Sequence, residues 1–181
     1  MSVLQGSMRG PIGGSMLGGS CPRTAGVPVG TLLLGTDSLV MSANSYTGNQ
    51  NQIAYMQHTA QASAQVVTAY YYDRLGSSLG PIHLLIFDSS GVLLGVSPNI
   101  TLQSSAGWRS VAWTDGPTLV AGATYYIGYN TSHAAGSFTN YDSSSPAQVG
   151  RTQISAAYGS ESNITPGGTL TGGSYTIYVT A

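Results

Sequence analysis

From Thr31 onward, the chain alternates apolar and polar residues in short runs that are separated by turn-forming residues. The clearest run is Gln65–Asp73. Its alternate residues divide into two sets, Val66, Thr68, Tyr70 and Tyr72 on one side and Val67, Ala69 and Tyr71 on the other. A repeat of two residues is typical of a β-strand, whose successive side chains point to opposite faces. The pattern therefore predicts a long strand at 65–73.

Further runs of the same kind predict seven more strands, at 32–34, 82–88, 92–96, 108–114, 124–130, 151–158 and 174–180. The segment Asp88-Ser-Ser-Gly91 predicts a hairpin between two of them, because Asp and Ser bond the turn backbone and Gly91 accepts a positive φ. In the last strand, Tyr175, Ile177 and Val179 are expected to face the core. Many short strands with turns at regular intervals predict an antiparallel β-sandwich of the jelly-roll type.

Three segments fit this pattern less well. Residues 57–64 have the length of a short helix but lack an apolar stripe. Residues 136–150 and 159–173 are rich in Gly and Ser, which predicts exposed loops.

Residues 1–30 have a different composition, because glycine or proline recurs every few positions and prevents a long helix or strand. Isolated apolar residues recur between them, which an inert linker would not need. We therefore interpret 1–30 as an extended anchoring arm and 31–181 as the sandwich domain. The arm residues expected to enter a partner's groove are Met8, Ile12, Met16 and Leu17. The alternative is a terminus that is loose or folds back on its own domain.

Charged residues make up only 6% of the 181 residues, against roughly 25% in an ordinary soluble domain. The chain has no lysine, and its five arginines are scattered, so no basic stripe is available to neutralise phosphates. We expect no nucleic-acid partner. No apolar run approaches the length of a membrane span, and the N-terminal residues do not read as a secretory leader. The single Cys21 excludes an internal disulfide.

Residues that could take part in catalysis or metal binding are few and dispersed. The chain has three histidines and six acidic residues, with no metal-binding or nucleophile motif. We therefore expect no catalytic residues, no metal and no cofactor, although a calcium site built from acidic loops is a less favoured alternative. His83 lies beside Leu85 and Phe87, which indicates a hydrogen-bonded buried or interface histidine. His58 and His133 have polar neighbours and are expected at the surface. Asp73, Asp88, Asp115 and Asp142 neighbour turns and are expected to cap backbone amides.

The aromatic residues are the strongest candidates for binding. Those that could form a stacking platform for sugar rings are Trp108, Trp113, Tyr126, Tyr129, Tyr141 and Tyr158. The alternative is that most of them fill the core, because aromatic residues are favoured in strands. Trp108 follows Gly107 at a junction of loop and strand, where partial exposure is expected. Trp108 and Tyr141 are the candidate glycan-stacking residues.

Four segments carry a resemblance to known proteins: VVTAYYY at 66–72, IHLLIFDSSGVLLG at 82–95, GWRSV at 107–111 and LVAGATYYIG at 119–128. Together they resemble a jelly-roll module that occurs in bacteriophage virion proteins and in extracellular domains similar to carbohydrate-binding sandwiches. The resemblance covers residues 50 to 135. It implies the fold more strongly than the function, since that fold supports many roles.

Combined with the arm, the resemblance implies a phage virion structural protein that decorates the capsid or forms part of a tail or fibre appendage. Its expected partners are other virion proteins and further copies of itself, and its location is the virion, assembled in the host cytoplasm. The alternative is a carbohydrate-binding or receptor-binding module that recognises a host surface glycan. A second alternative is an accessory domain of an enzyme.

Overall fold

The computed structural model describes residues 30–37, 44–48, 50–73, 80–132, 137–142, 150–167, 171–172 and 174–181. Every regular element in this part of the chain is a β-strand, and no helix there is long and apolar enough to cross a membrane. The strands are β1 (Leu32–Gly35), β2 (Asn44–Gly48), β3 (Gln52–Thr59), β4 (Ala64–Gln65), β5 (Thr68–Asp73), β6 (Pro81–Asp88), β7 (Leu93–Val96), β8 (Ile100–Thr101), β9 (Gly107–Ala112), β10 (Thr118–Leu119), β11 (Thr124–Thr131), β12 (Ser137–Asp142), β13 (Gly150–Ser155), β14 (Thr171–Gly172), β15 (Ser174–Tyr175) and β16 (Ile177–Thr180).

Two large antiparallel sheets form the framework. The smaller has four strands in the order β1-β16-β5-β9, and the larger has seven, in the order β14-β13-β3-β11-β6-β7 with β8 also paired to β6. Short sheets, β10-β4 and β15-β12-β2, complete the described part of the chain. The packed faces of the two large sheets confirm the predicted antiparallel β-sandwich.

The main core lies between the two large sheets. Inward residues of the four-stranded sheet include Ala69, Tyr71, Ile177 and Val179, all with no exposed surface. They belong to one cluster with inward residues of the larger sheet, namely Ala54, Met56, Ile82, Leu84, Ile86, Tyr125, Ile127 and Tyr129. The predicted inward positions of the last strand are confirmed, since Tyr175 is also buried.

The predicted strand at 65–73 is interrupted where it changes partners. The amide of Val66 donates to the carbonyl of Pro117, whereas that of Val67 donates to the carbonyl of Thr180. The chain thereby moves from the short β10-β4 sheet to the four-stranded sheet between β4 and β5. Beyond this change, the predicted alternation holds: Tyr70 and Tyr72 are partly exposed, and Ala69 and Tyr71 are buried.

A second apolar cluster lies on the outer face of the larger sheet. It contains Ile53, Tyr55, Leu85, Phe87, Tyr126 and Ile164. Ile164 comes from residues 156–167, a segment without regular structure that we call the cover segment. The amide of Ile164 donates to the carbonyl of Gly91 at 2.9 Å, so the β6–β7 hairpin holds this segment in place. The expectation of an exposed loop at 159–173 is therefore wrong at Ile164.

Strand β3 corrects the reading of residues 57–64 and the surface position expected for His58. It lies in the interior of the larger sheet, between β13 and β11. Its residues 53–56 are buried on both faces, so they read as a continuous apolar run rather than an alternation. The strand continues through His58, which it directs to the inner face of the sheet opposite Tyr125. The loop expected at 136–150 likewise contains a strand, β12.

Candidate functional site

The outer face of the four-stranded sheet carries four partly exposed aromatic side chains. Tyr70 and Tyr72 lie on β5, Trp108 lies on β9 and Tyr178 lies on β16. Each alternates with residues that point into the core, so the period of the strands turns all four rings away from it. We call this surface the aromatic face.

Tyr70 and Tyr178 form the centre of the aromatic face. They are directly opposite in the β5–β16 register, and their rings stack with centroids 4.3 Å apart and planes 6° from parallel. That separation is close to the spacing of neighbouring strands, about 4.7–4.9 Å, which indicates rings that stand side by side on the sheet. Each ring has one face turned to the other and one face turned away from it.

Trp108 extends the aromatic face to the outermost strand of this sheet. It is paired with Tyr72, and their rings meet edge to face at 5.4 Å and 73°. It also meets Tyr178 edge to face at 4.9 Å and 79°. These contacts fix the orientation of the indole although it is partly exposed, so it presents a preformed apolar surface to solvent.

Small residues flank the stacked tyrosines on both sides. Gly35 on β1 is opposite Tyr178, and Ser110 on β9 is opposite Tyr70. Gly35 has a φ of +98°, and a Cβ there would overlap the carbonyl oxygen of Ile177, so a larger residue is excluded. Gly35 is itself buried against β16, whereas Ser110 is exposed, so the small neighbour that adjoins solvent lies beside Tyr70.

Among the described residues, the ionisable side chains nearest the aromatic face are the exposed Asp37, the partly buried Arg109 and the buried Asp73, which follows Tyr72 at the end of β5. Desolvation raises the pKa of Tyr178, and the nearby Tyr70 and the negative charge of Asp37 raise it further. Asp37 is exposed and lies two residues after the end of β1. Arg109 points away from the rings: its Nη2 donates to the carbonyl oxygen of Ser105 and its Nη1 donates to that of Trp108.

A second candidate is a polar network on the outer face of the larger sheet, centred on His83. Its Nδ1 lies 3.0 Å from Glu161 Oε1, and its Nε2 lies 2.7 Å from Asn99 Oδ1. The Tyr158 ring stacks on the imidazole at 4.3 Å, and its hydroxyl donates to the same Asn99 oxygen at 2.5 Å. Burial, followed by the charge of Glu161, raises the pKa of Tyr158 to about 12.

This network ties the cover segment to the sheet. Besides contacting His83, Glu161 Oε1 accepts hydrogen bonds from Asn130 Nδ2 at 3.3 Å and from the Gly159 amide at 3.1 Å. Both ring nitrogens of His83 are engaged, so neither is left to take a proton from a nucleophile. The expected hydrogen bonding of His83 is confirmed, and the side chain is partly buried. The network holds the cover segment against the sheet and acts as a structural latch.

The other sequence candidates are divided between the core and the parts that the structure does not describe. Trp113, Tyr126 and Tyr129 are buried and line the cores.

The predicted turn role of Asp88 is confirmed, since its Oδ1 accepts from the Ser90 and Val92 amides. The Ser90 hydroxyl also donates to it, and this bond contributes most to lowering the pKa of Asp88.

Several candidates lie outside the described structure. They are the arm residues Met8, Ile12, Met16 and Leu17, together with His133 and the side chain of Tyr141. The backbone of Tyr141 lies in β12, on a sheet separate from that of Trp108. Within the described residues, no group of three or more His, Cys, Asp and Glu side chains is arranged to hold a metal ion.

The sequence candidates missed three members of the aromatic face: Tyr70, Tyr72 and Tyr178. The signal was present, since the alternation at 65–73 set Tyr70 and Tyr72 on one face of their strand. What the sequence did not show was that β16 and β9 flank β5 and bring Tyr178 and Trp108 beside them.

No known family model matches the sequence, and no curated protein matches it.

Proposed function

We propose that this chain is a non-enzymatic binding module and that its aromatic face binds a glycan. The observation that carries the proposal is the set of four partly exposed rings from three adjacent strands, oriented by contacts with one another. Sugar rings present apolar C–H faces, which pack against aromatic rings, and hydroxyl groups, which bond at their edges. A rigid group of Trp and Tyr side chains provides such contacts with little ordering cost on binding.

The surroundings of the rings favour a ligand that is rich in hydroxyl groups. Ser110 and Thr68 lie on the same face and provide neutral hydroxyls, as do the phenols of the tyrosines. Ser110, which is small and exposed, leaves space for a ring beside Tyr70. The engaged nitrogens of His83 favour a structural role for the second candidate, so binding rather than catalysis is the better-supported activity.

A glycan array followed by calorimetric titration of the strongest ligand tests this proposal. Trp108→Ala and Tyr178→Ala should each weaken binding by at least about tenfold, because truncating a central aromatic contact typically costs more than 1 kcal/mol. Leu94→Ala is the matched control, since Leu94 is an exposed apolar residue on the other large sheet. Failure to bind any glycan, or full affinity in both aromatic variants, would refute the proposal.

A role as a phage virion structural protein is the second candidate, and the two roles are compatible in an appendage that recognises a host surface. The support is the resemblance of residues 50 to 135 and the apolar residues of the arm. The chain also enters the described domain at Gly30, whose amide bonds the Ala181 carbonyl beside the edge strand β1. A segment that precedes an edge strand has access to a neighbouring subunit, whose sheet it can extend.

Deletion of residues 1–29 tests this second candidate and keeps Gly30 in place. The anchoring role predicts a folded domain with an unchanged melting temperature that no longer joins the particle or the homo-oligomer. Met8, Ile12, Met16 and Leu17 would each contribute about 1.5–3 kcal/mol of burial before the cost of ordering the arm. Normal assembly of the shortened protein would exclude the anchor, and loss of folding would assign the arm to the domain's own core.

A further inference from the structure

We infer that the glycan bound by the aromatic face is uncharged, and that Asp37 sets this preference by repelling acidic sugars. The inference rests on the proposed glycan-binding function and names the class of ligand at the same surface. Asp37 is a specificity-determining residue in this account, and the aromatic rings supply the contact itself.

The backbone places Asp37 two residues beyond Gly35, the last residue of the strand that borders Tyr178. Gly35 is opposite Tyr178, and the next amide, that of Thr36, donates to the Ile177 carbonyl at 2.8 Å. Backbone hydrogen bonding between β1 and β16 therefore continues through Thr36, the residue before Asp37. The carboxylate is exposed, and its charge is close enough to Tyr178 to contribute to the raised pKa of the phenol.

The end of the sheet where Asp37 lies is also the end where Trp108 lies. Tyr72 donates its amide to the carbonyl of Thr176, one residue before β16 begins, and Tyr72 is paired with Trp108. A ligand that covers Trp108 and the stacked tyrosines therefore has one edge directed towards the carboxylate. Its hydroxyl groups can donate to Asp37, whereas an acidic group there would meet a like charge.

Arg109, the one described cation near the rings, alternates with Trp108 and Ser110 on β9 and keeps its charge on the opposite face of the sheet, so no described cation on the aromatic face offsets Asp37. Arg109 is the one arginine whose side chain the structure describes, and its guanidinium bonds the carbonyls of Ser105 and Trp108 on the inner side of β9. The whole sequence contains only five arginines and no lysine. Two like charges separated by about 6 Å of water weaken binding by at least about threefold, and by more where water is excluded.

Titration of the full chain with two probes of the same core tests the inference. One probe is a neutral oligosaccharide that binds, and the other carries a sialic acid or sulfate on that core. The wild-type chain should bind the acidic probe at least about threefold more weakly, and the difference should shrink at high ionic strength because salt screens it.

Three variants separate the outcomes. Asp37→Asn should bring the acidic probe to within about twofold of the neutral one. Asp115→Asn is the matched control, an exposed carboxylate at the opposite end of β9 from Trp108, and it should leave the difference intact. Arg74→Gln, at a position outside the described residues, should not alter the preference.

Equal or tighter binding of the acidic probe by the wild-type chain would overturn the inference. So would a difference that persists in Asp37→Asn, or acidic binding that depends on Arg74. None of these three results would contradict glycan binding by the aromatic face. Failure to bind any sugar refutes the proposed function and the inference with it, so the two failures are distinguishable.

Discussion

His58 should make the stability of this protein fall as the pH drops below neutrality. Its side chain lies on the inner face of the larger sheet, across from Tyr125 in the β3–β11 register. The Nε2 atom is buried and has no hydrogen-bond partner among the described residues. Burial lowers the pKa of the imidazole from 6.5 to about 4, because the charged form loses its water without gaining a partner.

The magnitude follows from the difference in pKa between the two states. Above pH 6.5, His58 is neutral in both the folded and the unfolded chain and has no effect on stability. Between pH 6.5 and about 4, the unfolded chain binds a proton that the folded chain does not, so the free energy of unfolding falls with pH. At 1.36 kcal/mol per pKa unit, the loss reaches about 3 kcal/mol and levels off below the folded pKa.

Urea unfolding at steps from pH 7 to pH 4 measures this loss, and His58→Phe is the informative variant. Phenylalanine keeps a planar ring of similar size and cannot titrate, so the variant should match or exceed the wild type at pH 7 and lose much less stability towards pH 4. His133→Gln is the control, because it removes a histidine that is not part of the β3 sequence. A wild type and a His58→Phe variant that lose stability in parallel would refute the burial argument.

Three further predictions concern the cover segment and metal binding. Gly91→Ala should destabilise the fold by about 2–4 kcal/mol in thermal melts, since its φ is +89° and a Cβ would overlap the Ile164 carbonyl. Gly122→Ala is the control: its φ is also positive but nothing lies near its Cβ position, so it should cost about 1 kcal/mol. Glu161→Ala should cost about 2–3 kcal/mol and raise hydrogen exchange in residues 156–167, and unchanged protection there would contradict the latch formed with His83. Dialysis against a chelator should leave the melting temperature unchanged, and stoichiometric zinc or calcium retained by the protein would contradict this.

The strands with one solvated face could be predicted from the sequence. In β5 and β16, one side faces the core and the other faces solvent, so the period of two residues was visible. It separated the two faces of β5 and identified the inward residues of the last strand correctly. The hairpin at 88–91 was equally readable, because Asp88 and Gly91 each perform a local task in the turn. Local chemistry of this kind does not depend on which strands become neighbours.

Two kinds of feature could not be predicted: strands that are buried on both faces, and sites whose residues come from distant parts of the chain. β3 was missed because the cover segment and the opposite sheet bury residues 53–56 on both sides, which removes the alternation. His58 was assigned to the surface because its sequence neighbours are polar, although the strand turns it inward. The aromatic face depends on the order β16-β5-β9, which joins Tyr178 from the end of the chain to Tyr70 and Trp108.

The two tryptophans allow the most direct test of the aromatic face. Trp108 is partly exposed on it, whereas Trp113 is buried in the core and serves as an internal reference. Titration with a neutral oligosaccharide, followed by NMR of the indole N–H groups, should shift the Trp108 resonance in proportion to binding and leave that of Trp113 in place. A glycan that binds without moving the Trp108 resonance, or that moves only the Trp113 resonance, would contradict glycan recognition by this surface.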